Sequence, residues 1–309
     1  MQRRGIALLI TIAFITAIAA LIAVAGGILN QGFSGASRKA FLVQSNVILS
    51  DIQTLLRQNT KDINDSTALD VLLSLPLFFG DEKTGVMSDL SFASDASCVN
   101  VNLLVEKGTG TMTDANTPLP IRTAYETYLA RILQFYNVAD PELLISMIAD
   151  TIDDDLDERL PGSEIALKEP DFSQGRVYNL HHFRQILAAY ERQTLDFNVD
   201  TVPWDALIGF RDGGIDFNHI TAGTLRFITP DLDESVIAEL TTDRVDVYEQ
   251  FSELPLDSET VKTLEDMNVT FYSPHIVGSF HVLGDKQKVS YTFAYDLSTQ
   301  KVSQFAIAD

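Results

Sequence analysis

The chain begins with the sequence MQRRGIALLITIAFITAIAALIAVAGGIL (residues 1–29), in which two arginines precede an apolar run from Ile6 to Leu29. No charged residue lies between Arg4 and Arg38. A helix of roughly 20 apolar residues spans the ~30 Å hydrocarbon core of a bilayer. The sequence therefore predicts an N-terminal transmembrane helix that carries a water-soluble body.

Three interpretations of this segment compete: a secretory signal peptide, a simple single-span anchor, and a prepilin leader over residues 1–5. A signal peptide would end at the small residues Ala23-Val24-Ala25, but its apolar region is typically about 7–15 residues, shorter than this one. Hydropathy alone does not exclude a simple anchor. A prepilin peptidase would cut between Gly5 and Ile6, because a small, flexible residue suits cleavage at the cytoplasmic membrane face. We favour the prepilin leader.

The helix is predicted to continue beyond the membrane, so that one transmembrane and assembly helix covers residues 6–60. The polar stretch from Asn59 to Asp65 ends it. Glycines between Gly26 and Gly35 each lower helix propensity by roughly 1 kcal/mol, which predicts a kink or local melting there. The apolar stripe of the outer part consists of Phe41, Val43, Val47, Ile48, Ile52, Leu55 and Leu56.

Beyond this helix, the patterns indicate strands at both ends and helices between them. The segment Cys98-Val99-Asn100-Val101-Asn102-Leu103 alternates apolar and polar residues, as a half-buried strand does. The order predicts an α+β fold, in which a β-domain (residues 61–117 and 268–309) is interrupted by an all-α insertion (residues 118–267). The predicted strands cover residues 86–92, 98–105, 269–272, 276–283, 289–295 and 302–307.

Two helix-turn-helix units are predicted within the insertion, at about 140–200 and 210–265. The first joins helices over residues 142–149 and 180–191 through a loop. The second contains Ile215-Asp216-Phe217-Asn218 and helices over residues 221–228 and 233–243, with Asp231 or Asp233 as the N-cap of the last. Trp204, between the two units, is predicted to be a core anchor.

Composition and motifs exclude several classes of function. The formal net charge of −21 would repel a nucleic-acid phosphate surface, so we expect no nucleic-acid partner. The sequence contains no Gly-x-Ser-x-Gly elbow, no glycine-rich phosphate loop and no His-Glu-x-x-His, so no enzymatic activity is expected. Adjacent His181 and His182 point in different directions on a helix and make a poor metal pair. Cys98 is expected to be a small core residue.

One acidic segment has spacing suited to a metal ion. Asp153, Asp155, Asp157 and Glu164 fall at positions 1, 3, 5 and 12, the spacing at which an EF-hand loop wraps oxygen ligands around Ca²⁺. The sixth position is Glu158 rather than glycine, so a true EF-hand is not predicted. The alternatives are a calcium site made by these four residues and a solvated acidic loop.

Several short motifs occur in the order of one known family, and the chain resembles the K-type minor pseudopilins of the type II secretion system (general secretion pathway protein K). The sequence departs from that family at Thr151, where a tryptophan is usual. The motifs that carry the resemblance are Arg4-Gly5-Ile6-Ala7-Leu8-Leu9, Asn100-Val101-Asn102-Leu103, Asp150-Thr151-Ile152-Asp153-Asp154-Asp155, Gly162-Ser163-Glu164, and Ile215-Asp216-Phe217-Asn218 with Thr221-Ala222.

The resemblance implies a pilin-like sheet interrupted by two SAM-like helical units, with calcium bound near an acidic loop. It also implies a role for Ile10, the fifth residue after the predicted cleavage. Ordinary pilins carry a glutamate there, which pairs with the N-terminal amine of a neighbouring subunit in the apolar fibre core. A buried glutamate without a partner is costly, so Ile10 fits a subunit with no pilin above it. A generic membrane anchor also lacks this glutamate.

The expected function is therefore a fibre subunit at the tip of the type II secretion pseudopilus, where it caps the fibre and initiates its assembly. The expected partners are the I- and J-type minor pseudopilins in a tip complex, the prepilin peptidase and the inner-membrane secretion platform. The expected location is the bacterial inner membrane, with one span and the C-terminal domain in the periplasm. The alternatives are a signal-anchored periplasmic binding or sensor domain, and a minor pilin of a related type IV pilus.

Overall fold

A computed structural model describes residues 38–74, 77–81, 86–106, 119–284 and 287–308. Contacts within the chain divide it into two compact units. The first, here called the sheet unit, contains the described residues up to Asp95, together with 246–249 and 271–308. The second, here called the helical unit, contains Ala96–Val245 and Gln250–Thr270. In chain order, the helical unit is inserted within the sheet unit.

The described strands lie in one large antiparallel sheet and two short parallel pairs. The large sheet belongs to the sheet unit, and both pairs belong to the helical unit. Numbered along the chain, the strands are β1 (Leu77–Asp81), β2 (Val86–Ser94), β3 (Val99–Asn100), β4 (Ile208–Gly209), β5 (Ile215–Asp216), β6 (Val269–Thr270), β7 (His275–Gly284), β8 (Gln287–Asp296) and β9 (Lys301–Ala308).

Two of the described helices belong to the sheet unit and precede the sheet, and the other seven belong to the helical unit. Numbered along the chain, they are α1 (Arg38–Asn59), α2 (Ser66–Leu73), α3 (Thr123–Phe135), α4 (Pro141–Ile152), α5 (Leu180–Thr194), α6 (Trp204–Leu207), α7 (Ala222–Ile228), α8 (Glu234–Leu240) and α9 (Ser258–Asp266).

The sheet has the strand order β1-β2-β7-β8-β9 among the described residues, and every neighbouring pair is antiparallel. Strands β7, β8 and β9 follow one another through hairpins. Strand β2 pairs with β7, although the whole helical unit lies between them in the sequence, and the register runs from Met87 opposite Leu283 to Ser94 opposite Ile276. The sheet is therefore completed by one pairing between strands that are far apart in the sequence.

Helix α1 packs against this sheet through its apolar stripe. Leu49, Ile52 and Leu56 are buried in one core cluster with sheet residues such as Phe280 and Tyr291. Their spacing of three and four residues places them on one side of the helix. Burying each such side chain stabilises the unit by roughly 1.5–3 kcal/mol. Of the predicted stripe, Ile52 and Leu56 are confirmed as buried, whereas Val47 is 55% exposed and the buried Leu49 was not predicted.

Polar contacts fix the chain that follows α1. The Tyr272 hydroxyl donates to the Ile63 carbonyl at 2.8 Å, and the Ser66 hydroxyl donates to the Phe271 carbonyl at 2.5 Å. The Asp65 side chain accepts from the Ala68 N–H and so caps α2. The sequence analysis missed both α2 and β1, because each is short.

The helical unit contains helices at the positions predicted for the two helix-turn-helix units. Helices α4 and α5 lie where the first unit was predicted, and α7 and α8 lie where the second was predicted. Asp140 and Asn179 cap α4 and α5 through their side chains. Asp233 does precede α8, although its carboxylate makes no capping hydrogen bond with the described backbone. The α+β class is thus confirmed for the described residues.

Trp204 is a core anchor, as predicted. Its side chain is buried, its ring packs edge-on against Phe183 with centroids 5.0 Å apart, and its Nε1–H donates to the Val199 carbonyl at 2.8 Å. Cys98 is half-buried, and its thiol lies 3.2 Å from the Ala206 carbonyl oxygen.

The boundaries of the insertion differ from those predicted. The helical unit begins at Ala96 rather than at residue 118, and it ends at Thr270 rather than at residue 267. Both differences have one cause, since β3 pairs with β4 and β6 pairs with β5, all inside the helical unit. The prediction of a long β-domain strand after Cys98 is therefore wrong, because Val101–Leu103 forms a 3-10 helix. The prediction of a β-domain strand over residues 269–272 is also wrong, because Val269–Thr270 pairs within the helical unit.

Within the described residues, no helix is both long enough and apolar enough to cross a bilayer. The predicted span from Ile6 to Leu29 lies outside those residues, and so does the glycine-containing stretch from Gly26 to Gly35. Gly5, Ile6 and Ile10 lie outside them as well.

Replacing Gly278 with alanine is expected to destabilise the sheet unit. Gly278 on β7 lies opposite Phe293 on β8, and a Cβ atom at Gly278 would overlap the buried ring of Phe293. Overpacking of this kind costs about 1–3 kcal/mol. Because 1 kcal/mol moves the melting temperature of a chain this size by roughly 2–4 °C, thermal denaturation of the full chain in detergent should show a fall of several degrees.

The matched control is Ser279→Ala on the opposite face of the same strand. Ser279 is partly exposed, so this change should leave the melting temperature within about 1–2 °C of the original, as surface substitutions do. Equal melting temperatures for the Gly278→Ala variant and this control would contradict the packing argument.

Candidate functional site

The acidic loop, residues 153–164, follows helix α4 in the helical unit. The helix ends at Ile152 because Asp153 adopts an extended backbone, with its N–H still bonded to the Ala149 carbonyl at 3.1 Å. The loop then carries the four residues that the sequence analysis predicted as calcium ligands.

The structure buries two of these four side chains and leaves the others closer to solvent. Asp153 and Glu164 are each 1% exposed, Asp155 is half-buried, and Asp157 is exposed. Asp155 accepts the Asp157 N–H at 2.8 Å, which forms a tight Asx turn between the two. The predicted set is therefore split, with Asp153 and Glu164 inside and Asp157 at the surface.

A fifth carboxylate, which the sequence analysis missed, lies beside them. Asp150 is fully buried on the last turn of α4, one turn before Asp153. Ser163 donates to Asp150 Oδ2 at 2.5 Å, and the Arg159 N–H donates to the same oxygen at 3.2 Å. The available signal was the spacing of three residues between Asp150 and Asp153, which places both on one helical face.

Arg159 is the cation that holds the two aspartates together. Its Nε lies 2.8 Å from Asp150 Oδ1, and its Nη2 lies 2.7 Å from Asp153 Oδ2. The Arg159 side chain is 11% exposed, so both ion pairs are largely shielded from water. Shielded pairs of this kind contribute structural order, and removing one partner leaves an uncompensated buried charge.

The other side of the cluster is organised around Glu164. Glu164 Oε1 accepts the Ala166 N–H at 2.9 Å and the Gln174 side-chain amide at 2.8 Å. Gln174 also donates to the Asp155 carbonyl at 3.0 Å, while the Gly175 N–H donates to the Asp153 carbonyl at 2.9 Å. The segment around Gln174 therefore ties the two ends of the acidic loop together.

Three carboxylate oxygens in this cluster are buried without a hydrogen bond among the described residues: Asp150 Oδ1, Asp153 Oδ1 and Glu164 Oε2. Asp150 Oδ1 lies 2.8 Å from Arg159 Nε, so Asp153 Oδ1 and Glu164 Oε2 are the two for which the described residues supply neither a hydrogen bond nor an ion pair. A buried acceptor without a donor is unfavourable by about 1–3 kcal/mol, and more when the group is charged. Such oxygens are the hard ligands that Ca²⁺ takes in proteins. The cluster therefore lacks positive charge where these two oxygens lie.

The pKa values of these groups reflect that shortage. Burial, opposed by the hydrogen bond from Arg159, raises the pKa of Asp153 from 3.8 to about 7. Burial and the negative charges of Asp150, Asp153 and Asp155 raise the pKa of Glu164 from 4.5 to about 7. Burial also raises the pKa of Asp150. Near neutral pH, Asp153 and Glu164 are therefore partly protonated, and a cation that binds them would compete with these protons.

As they stand, the described side chains do not form a finished metal site. No group of three or more His, Cys, Asp or Glu side chains in the described part of the chain is arranged to hold a metal ion. The unpartnered oxygens of Asp153 and Glu164 nevertheless have the chemistry of ligands for a hard cation. The four predicted ligands remain a proposal, with Asp150 added to the buried set.

His182 serves packing. It is buried, its Nδ1 lies 3.3 Å from the Tyr178 backbone nitrogen, and its ring lies 4.9 Å from that of Phe172. Burial lowers the pKa of His182, which keeps the ring neutral. His181 is exposed on the same helix, so the two histidines do point apart, as predicted from the sequence.

The metal-free protein is expected to lose stability as the pH rises from about 4 to about 7. Asp153 and Glu164 bind a proton more tightly when folded than when unfolded, so their stabilising contribution is complete below about 4 and disappears as the pH passes about 7. Thermal denaturation in a chelator should show the melting temperature about 5 °C or more lower at pH 8 than at pH 5.

The Glu164→Gln variant removes one of the two titrating groups and should reduce this pH dependence. Asp154→Asn, which changes an exposed carboxylate in the same loop, is the control and should retain it. A melting temperature whose pH dependence is the same in the Glu164→Gln variant and in the original chain would contradict the assignment.

Comparisons with known proteins give a similarity in structure but none in sequence. No protein-family profile matches the chain, and no curated protein matches it in sequence. Among solved structures, a chain from the crystal structure of the GspK-GspI-GspJ complex of the enterotoxigenic Escherichia coli type 2 secretion system has a similar fold. The TM-score is 0.59 at 13% sequence identity, and the similarity covers 88% of this chain and 99% of that chain.

At this level of identity, the similarity concerns the fold. It extends over nearly all of the matched chain, and so it includes more than either unit by itself. The chain therefore shares the fold of a chain from the GspK-GspI-GspJ complex, as the family resemblance predicted.

Proposed function

We propose that the chain is a K-type minor pseudopilin of a type II secretion system. The observation that carries this proposal is the shared fold, which extends over 99% of a chain from the GspK-GspI-GspJ complex. Two independent features of the sequence support it: the predicted leader ending at Gly5, and the family motifs in their usual order. A structural role, rather than catalysis, agrees with both.

The proposed mechanism starts at the membrane. The leader, residues 1–5, is removed between Gly5 and Ile6, and the helix from Ile6 onward stays in the inner membrane with the rest of the chain in the periplasm. Small residues such as Ala13, Ala17 and Ala20 allow other helices to approach closely in lipid. The described α1 then continues this helix outside the membrane and anchors it to the sheet through Ile52 and Leu56.

Ile10 gives the subunit its place in the fibre. A glutamate at this position would need the amine of a neighbouring subunit, because a buried carboxylate without a partner is strongly unfavourable. With Ile10 the subunit has no carboxylate at this position to pair with the amine of a subunit above it, so it occupies the tip. There it caps the fibre and initiates its assembly. The helical unit adds bulk that a thin fibre could not accommodate along its length.

The proposed partners follow from the same comparison. The similar chain was solved in a complex that contains GspK, GspI and GspJ. We therefore expect this chain to join the corresponding I- and J-type minor pseudopilins, and to be processed by a prepilin peptidase and assembled on the inner-membrane platform. Its net charge of −21 supports the absence of nucleic acid among its partners.

The mature protein is expected to begin at an N-methylated Ile6 and to copurify with the two other minor pseudopilins. Both outcomes follow from prepilin processing and tip assembly. They are measured by mass spectrometry of the N-terminal peptide and by affinity purification of the full chain from detergent-solubilised membranes. A type IV pilus subunit would be processed in the same way but would copurify with pilins instead.

Two variants make this test specific. Gly5→Val should leave the leader in place, because the peptidase needs a small residue there, whereas Ala25→Leu should not change processing. A mature chain that starts at Met1 or at Gly26, or processing blocked by the Ala25→Leu change alone, would show a signal-anchored domain and contradict the proposal.

We also propose that the acidic loop binds calcium. Asp153 and Glu164 supply buried oxygens, and Asp155 and Asp157 supply further ones from the rim of the loop. When bound, Ca²⁺ would supply the positive charge that the buried carboxylates lack. Arg159, through its ion pair with Asp153, and Gln174, through its hydrogen bond to the Asp155 carbonyl, hold the loop that carries these oxygens.

Calcium is expected to stabilise the folded chain. Binding at 100 times the dissociation constant stabilises a protein by about 2.7 kcal/mol, which corresponds to a rise in melting temperature of several degrees. Calorimetric titration of the chelator-treated full chain should show binding heat, and the double change Asp153→Asn with Glu164→Gln should abolish it. Asp231→Asn, at an exposed position of the same unit, is the control. Absence of both binding heat and thermal shift in the original chain would rule calcium out.

A further inference from the structure

The turn that ends helix α5 exposes two large apolar side chains. Leu195 is 76% exposed and Phe197 is 62% exposed, while Asp196 between them is buried. Both apolar side chains therefore lie on the outside of the turn. Single apolar residues are common on protein surfaces, so exposure by itself does not indicate a binding site. The backbone of this turn and the charges around it provide the further evidence.

The backbone of Leu195 is left-handed, with φ 59° and ψ 27°. Glycine is usual where a helix ends in this conformation, because a side chain makes the conformation unfavourable. At Leu195 the chain therefore combines an unfavourable backbone with an apolar side chain in water. An exposed leucine adds little to the stability of the helical unit, and backbone outliers of this kind are characteristic of functional sites.

Hydrogen bonds hold this turn against the turn between helices α3 and α4. Asp196 Oδ2 accepts the Ala139 N–H at 2.7 Å, and Asp196 Oδ1 accepts the Asn198 N–H at 3.0 Å. The Asn198 side-chain amide in turn donates to the Asn137 carbonyl at 2.8 Å. Burial by itself would raise the pKa of Asp196, but the two N–H groups lower that pKa and keep the carboxylate ionised. The apolar pair is thus presented on a preorganised turn, which reduces the entropy lost on binding.

The surface around this pair is acidic. Asp200 is exposed, and its N–H donates to the Phe197 carbonyl at 3.2 Å, while Asp140 is exposed in the neighbouring turn. Burial and the nearby carboxylate of Asp200 raise the pKa of Glu191, so negative charge is concentrated here. Arg192, the next cation along the chain, is already paired with a glutamate. A complementary partner surface is apolar at its centre and carries lysine or arginine around it.

We propose that Leu195 and Phe197 dock into an apolar pocket of another protein whose rim carries lysine or arginine side chains. The apolar pair anchors the contact, and the carboxylates around it select the partner and steer its approach. A second copy of this chain does not fit, since its net charge of −21 would bring like charges together. The segments that contain the two turns, residues 132–158 and 193–210, have no lysine or arginine to offset that repulsion. The docking surface belongs to the helical unit alone, so it does not depend on the proposed function.

The partner is identified by photo-crosslinking in cells that express the full chain. The photoreactive amino acid p-benzoylphenylalanine replaces Phe197, which it resembles in shape. In the control chain it replaces Leu156, which is 55% exposed among the carboxylates beyond the other end of helix α4. Position 197 should be joined to one protein that position 156 does not reach. Mass spectrometry should place the joined residue of that protein in an apolar site beside lysine or arginine.

Affinity is then measured between the purified partner and the full chain in detergent. Leu195→Gly should weaken binding at least about tenfold, equivalent to 1.4 kcal/mol, while the melting temperature is retained because glycine suits the left-handed backbone. Leu156→Gly is the matched control and should bind as tightly as the original chain. Asp200→Lys should also weaken binding, and its difference from the original should shrink as salt is added.

Several results would overturn the docking surface. They are an absence of any protein joined at position 197 but not at 156, an adduct with a second copy of this chain, and a joined site without lysine or arginine. Unchanged affinity of the Leu195→Gly variant would also overturn it, and so would a loss of binding accompanied by a melting temperature several degrees lower, which would make Leu195 a structural residue. A joined pseudopilin would support both the docking surface and the proposed function, whereas another protein with such a site would support the docking surface alone.

Discussion

The pairing of β2 with β7 is the interaction on which the rest of the structure depends. It joins strands on either side of the helical unit through a continuous register from Met87–Leu283 to Ser94–Ile276, and the Asp95 N–H extends it by donating to the His275 carbonyl. The large insertion is tolerated because closing a longer loop adds only about 0.6 kcal/mol for each doubling of its length. The pairing in turn completes the surface on which α1 buries its stripe. The sheet unit therefore acquires its core only once the chain has returned from the helical unit.

A second constraint, electrostatic in nature, governs the helical unit. A chain with a net charge of −21 keeps most of its carboxylates in water, where mutual repulsion is weak. Asp150, Asp153 and Glu164 are instead buried together, with Arg159 as the single ion-pair partner that the described residues provide. Their raised pKa values express the resulting imbalance. Protons and divalent cations are two ways to relieve it, so the stability of this unit responds to the surroundings of the protein in a way that the sheet unit need not share.

Sequence patterns correctly predicted the elements in which apolar residues repeat at a regular spacing. They failed where the assignment of a strand depends on which other strand it pairs with. The stripe through Ile52 and Leu56, the hairpins of the last three strands and the helices around Asp140 and Asn179 were found at nearly their true bounds. The alternation after Cys98 was read as a strand of the main sheet, yet Val99 and Asn100 pair with Ile208 and Gly209 instead. In the acidic loop, the EF-hand spacing selected Asp153 and Glu164, which are buried, together with Asp155 and Asp157, which lie closer to solvent. It left out Asp150, because that residue belongs to the preceding helix.

The sequence by itself determined the class of the fold, the order of its parts and the position of the acidic loop, since these depend on residue spacing and on charge along the chain. Only the tertiary structure decided which strands pair, where the helical unit begins, and which carboxylates are buried beside Arg159. The physical reason is that pairing and burial join residues far apart in the sequence. A local pattern records which faces of a segment are apolar or charged, but it does not record what those faces will meet.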